Sequence, residues 1–60
     1  MAAKFEVFKD SASKVRWRLK AGNGEIIAQS QAYENKANAL AGIASVQKNA
    51  PVAAIDDQTA

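Results

Sequence analysis

"VRWRLKAGNGEIIA", residues 15–28, carries two signals whose coincidence decides the fold. Val15, Trp17 and Leu19 alternate strictly with Arg16, Arg18 and Lys20, the period of a strand with one dry and one wet face. Asn23-Gly24 then supplies residues that tolerate positive φ, and an apolar run resumes at Ile26. This pattern predicts a hairpin closed by a tight primed turn, with strands over residues 15–20 and 25–30. Upstream, "KFEVFK" (4–9) is short, aromatic and β-branched, with Phe5 and Val7 on one face and Glu6 and Phe8 on the other, a third strand. "DSASK" (10–14) is a cluster of small polar residues that turns it into the next.

Downstream the period lengthens. Ala39, Leu40, Ile43, Val46 and Ala50 recur at spacings of three and four, one apolar stripe on a helix over 36–49. Asn35 is placed to cap its first turn, and "KNAP" ends it with a cation, an asparagine tolerant of a left-handed stop, and Pro51. Gly42 costs the helix ~1 kcal/mol relative to alanine, and on the packed face it would admit a close approach to the sheet. "PVAAID" (51–56) reads as a weak last strand over about 52–56. The order β-β-β-α-β describes one α+β domain spanning 1–60, an antiparallel sheet with one helix on one face. Phe5, Val7, Trp17, Leu19, Leu40, Ile43, Val46 and Ile55 are its expected core and dimer residues.

A chain of 60 residues buries only about 60% of the surface its unfolded form exposes, so its core is thin. With no cysteine and no histidine, neither a disulfide nor a thiolate or imidazole zinc site can reinforce it. Oligomerisation is the remaining common remedy, and a homodimer is the expected partner state. No apolar run approaches the ~20 residues that cross a bilayer, and "MAAKFEVFKD" lacks the apolar stretch of a signal peptide, so a cytoplasmic protein with no membrane partner is expected.

The stretches "KFEVFKD", "VRWRLKAGNGEIIA", "SQAY", "NKANALAGIASV" and "KNAP", in this order and spacing, resemble the small bacterial YegP-like family (DUF1508, UPF0339), a domain of unknown function found in single and tandem copies. The resemblance runs from Lys4 to about Asp56. It implies a β3-α-β unit, two of which build one sheet while exchanging C-terminal strands; a chain with one unit would then form a homodimer. Where the family often reads Ser-Glu-Gly-Tyr before the helix, this chain has Ser30-Gln31-Ala32-Tyr33, which puts in doubt any role resting on a carboxylate there.

Charge is uneven: residues 1–20 hold six cations and two carboxylates, residues 21–60 two cations and four carboxylates. The row Arg16, Arg18 and Lys20 reads as the solvated face of a one-sided sheet, or as a contact for nucleic acid or another anion, with Phe8 on the same side. Trp17, flanked by Val15 and Leu19, reads as core in preference to a base-stacking platform, which needs several aromatics. "AGNGE" leads into a strand and lacks the spacing of a phosphate-binding loop. No pair of carboxylates is held by rigid elements, so no catalytic, cofactor or metal residue is assigned and no cofactor is expected. The leading expectation is a non-enzymatic homodimeric binding or scaffolding module; the alternatives are nucleic-acid or anion binding through the basic face, and an adaptor that pairs at a sheet edge.

Overall fold

A computed structural model describes residues 2–59. Three strands, β1 (Lys4–Lys9), β2 (Val15–Lys20) and β3 (Ile26–Gln29), form an antiparallel sheet in the order β1-β2-β3. The helix α1 (Lys36–Asn49) follows, then a 3-10 turn over Ala50–Val52. This is the small α+β arrangement expected, and α1 has the bounds that the apolar stripe gave.

Both hairpins close the same way, through a hydrogen-bonded four-residue turn whose last residue is left-handed. In the first, Ser13 N–H donates to Asp10 O and Asp10 N–H to Lys14 O, with Ser13 at φ 63°. In the second, Gly24 N–H donates to Ala21 O and Ala21 N–H to Glu25 O, with Gly24 at φ 86°. The expected two-residue primed turn at Asn23-Gly24 is therefore replaced by a three-residue loop. One left-handed residue suffices there, and Asn23 instead uses its side chain to accept from Glu25 N–H at 3.0 Å.

The first loop fixes a register in which Glu6 faces Arg18, Val7 faces Trp17 and Phe8 faces Arg16. Leu19 faces Ala28 and Lys20 faces Ile26, which leaves Ile27 as the extra residue of a bulge. Beyond β3 the chain stays beside β2: Ser30 N–H donates to Trp17 O, and Val15 and Tyr33 exchange both backbone bonds. Between these contacts the Ser30 hydroxyl accepts from Trp17 N–H at 2.9 Å, replacing a ladder carbonyl that the chain does not supply.

Asn35 caps α1 as expected, its side-chain oxygen accepting from Asn38 N–H at 2.8 Å. Its end differs from expectation. Asn49 keeps right-handed φ and ψ, and the helix tightens into the 3-10 turn, whose first positions tolerate Pro51 because an N–H there has no partner to lose.

Val15, Trp17, Ala39 and Ile43 are buried, with Phe5, Tyr33 and Val46 packed against them. The Phe5 ring meets Trp17 edge-on at 5.4 Å. The helix thus covers β2 and little else. Of the other expected core residues, Leu19 is half-buried, while Val7 and Leu40 remain 38% and 46% exposed. The strand expected over 52–56 is absent from the single chain: Val52 ends the 3-10 turn and residues 53–59 form no regular element. A strand needs a free edge within reach, and this segment lies against none, leaving Val52 81% and Ile55 95% exposed.

Candidate functional site

Alternation along β1 and β2 puts Lys4, Glu6 and Phe8 on the open face of the sheet together with Arg16, Arg18 and Lys20. The register brings a carboxylate to the middle of the basic row. Arg18 Nε donates to Glu6 Oε1 at 2.7 Å, while Lys4 and Lys20 Nζ stand 3.3 and 3.5 Å from the same carboxylate. The Arg18 guanidinium also lies over the Phe8 ring, 4.8 Å from its centre. Arg16 Nε donates to Asp10 Oδ2 at 2.6 Å, and Asp10 Oδ1 accepts from the N–H groups of Ala12 and Lys14. Lys14 in turn grips both oxygens of Glu34 at 2.7 Å.

These contacts set the charge states. The Arg18 hydrogen bond, helped by Lys4 and Lys20, lowers the Glu6 carboxyl from 4.5 to about 2. Arg16 and the backbone donors of the turn lower Asp10 as well. Arg16, Arg18 and Lys20 are brought together as predicted, but each is engaged by an internal carboxylate, and the Phe8 face is occupied by Arg18. Such a surface has less free positive charge to offer a phosphate backbone than the bare row suggests. Sequence reasoning missed Glu6 and Asp10 as its counter-ions, which the register of the folded hairpin brings against Arg18 and Arg16.

The helix side is different. Val7, Phe8, Lys9, Val15 and Lys36 line a groove of about 310 Å³ between β1 and the start of α1. Among the described residues, Lys9 and Lys36 have no carboxylate within ion-pair distance, in contrast to the cations of the open face. Trp17, beneath the helix, offers no exposed ring, and its Nε1 is buried without an acceptor. No group of three acidic side chains that could hold a metal occurs among the described residues, and no described helix is long and apolar enough to cross a membrane.

The sequence profile of a family described as a domain of unknown function, DUF1508, matches residues 10–57. The chain belongs to the DUF1508 family. Relatives of this DUF1508 chain carry the name UPF0339 protein. One from Treponema denticola is 64% identical over 55 residues, which are 92% of this chain and 95% of the relative. The UPF0339 protein YegP of Escherichia coli O157:H7 is 55% identical over 51 residues, 85% of this chain but only 46% of that protein. A solution structure of a protein from Haloferax volcanii superposes with a TM-score of 0.85 at 47% identity, covering 93% of this chain and 95% of its own. The DUF1508 fold seen in this chain is therefore shared with an experimentally determined relative, and the family description carries no activity.

Proposed function

We propose that the protein is a small, non-enzymatic, cytoplasmic homodimer, a binding or scaffolding module in which two copies exchange C-terminal segments to complete one sheet. The observation that carries this reading is the pairing of a thin core with an apolar tail left largely in solvent. Among the described residues four are buried, while Val52 and Ile55 stand in solvent beyond the helix. Large apolar side chains left on a terminal segment, next to a helix that covers one strand of three, point to burial against another copy. The Escherichia coli relative supports this, since the aligned unit accounts for under half of its length and leaves room for a second.

The non-enzymatic part rests on side-chain chemistry. Glu6 and Asp10 are held by arginine, which lowers both carboxyls and leaves them poorly suited to proton transfer. Light scattering at low micromolar concentration tests the assembly: the expected mass is twice 6.4 kDa, and a folded chain of 6.4 kDa would refute it.

A further inference from the structure

The cations of the open face are not matched evenly. Arg16 and Arg18 hold carboxylate oxygens at 2.6 and 2.7 Å, the length of a charge-assisted hydrogen bond. Lys4 and Lys20 have only the remainder of Glu6, at 3.3 and 3.5 Å. Arg18, Lys4 and Lys20 thus share the single negative charge of Glu6, and the surplus rests on the two lysines. The register sharpens this, because Lys4 and Lys20 are direct cross-strand partners, and like charges facing each other destabilise a sheet.

The same two lysines border a pocket of about 380 Å³ at the end of the sheet, completed by Ala2, Ala21, Gly22 and Gly24, with no carboxylate in its lining. Its size suits a small ligand. The turn engages the N–H groups of Ala21, Gly24 and Glu25 internally, whereas that of Gly22 has no acceptor among the described residues. Gly24 needs glycine for its φ of 86°, but Gly22 does not adopt positive φ. The turn therefore gives no reason for a glycine at 22. A bare Cα beside the pocket does, since it lets a ligand approach the main chain closely.

The donors define the ligand. Both guanidiniums, whose planar fork suits a carboxylate, are already taken. Two ammonium point charges and a backbone N–H remain, a set that matches a compact tetrahedral oxyanion with a charge approaching about −2. We propose that this pocket binds the phosphate group of a small phosphomonoester, with the Lys4 and Lys20 Nζ and the Gly22 N–H as donors. All of these groups belong to one chain, so the site goes beyond the assembly proposed above and does not rest on it.

Titration of the isotope-labelled full chain with inorganic phosphate and with phenyl phosphate, followed by amide chemical shifts at constant ionic strength, tests it. Saturable shifts are expected at Lys4 and at residues 20–24, with Arg16 and α1 unmoved. Lys4→Gln and Lys20→Gln, each of which relieves the like-charge pair and so spares the fold, are expected to weaken binding about tenfold. Gly22→Ala, at a backbone conformation open to alanine, weakens it with the melting midpoint unchanged. Glu6→Gln strengthens it, because the carboxylate that competes for both lysines is gone. Shifts that do not saturate, that acetate reproduces, or that persist unchanged in both lysine variants overturn the site. So does an oligothymidylate that binds these lysines when phenyl phosphate does not, which assigns them to a phosphodiester backbone instead.

Discussion

A Cβ on Gly42 would collide with the Tyr33 hydroxyl, stand 3.0 Å from Tyr33 Cζ and 3.3 Å from Trp17 Nε1. Tyr33 cannot withdraw easily, because its backbone is tied to Val15 by two hydrogen bonds. The glycine therefore sets how closely α1 approaches β2, and its propensity cost of ~1 kcal/mol is offset by the packing it permits. Gly42→Ala recovers that propensity but overpacks the contact, which typically costs ~1–3 kcal/mol. The expected outcome is a net loss of about 1 kcal/mol in urea unfolding, partly recovered in Gly42→Ala/Tyr33→Phe, where the colliding hydroxyl is gone. An alanine variant as stable as the parent would sink this account. The position was legible in the sequence only as a helix glycine; that it meets Tyr33 depends on the chain running on beside β2 after Ser30.

Strands β1 and β2 hold their open face together through ion pairs, and this gives the pair of strands a pH dependence. Glu6 titrates near 2 when folded and at its ordinary 4.5 when unfolded, and Asp10 is lowered too. A lowered folded value means the unfolded chain binds more protons as acid is added. The stabilisation from these carboxylates is thus complete above about pH 4.5 and is lost progressively towards about pH 2. Thermal unfolding followed across that window should show a falling midpoint. In Glu6→Gln, which has no proton to gain there, the decline should be shallower; an identical decline in both proteins would remove Glu6 as its source. Side-chain exposure of 25% at Glu6 and 37% at Arg18 means that salt weakens the effect. The alternation in "VRWRLK" and in "KFEVFK" was enough to identify both strands, while their register came from the structure. What it did not reveal is that the basic row is matched from within.

For the whole molecule, the deciding question is what the last residues contribute. In the single chain the exposed tail adds almost no burial, so removing residues 51–60 from a monomer would change stability by less than about 0.5 kcal/mol. In an exchanged dimer the same deletion strips an element from both copies. The expected result is loss of the dimer in light scattering and of cooperative melting in circular dichroism. A truncated protein that melts like the parent contradicts the exchange.

Local pattern alone determined the three strands, the helix from Lys36 to Asn49 and its Asn35 cap, because period, capping chemistry and turn residues act over a few positions. The tertiary structure decided the turn type at Ala21–Glu25, the Ile27 bulge, the neutralised open face and the uncovered β1 flank. The bulge and the open flank depend on how register and helix place distant residues, whereas the turn and the ion pairs join residues of one hairpin whose local pattern fits more than one geometry until that register is in place.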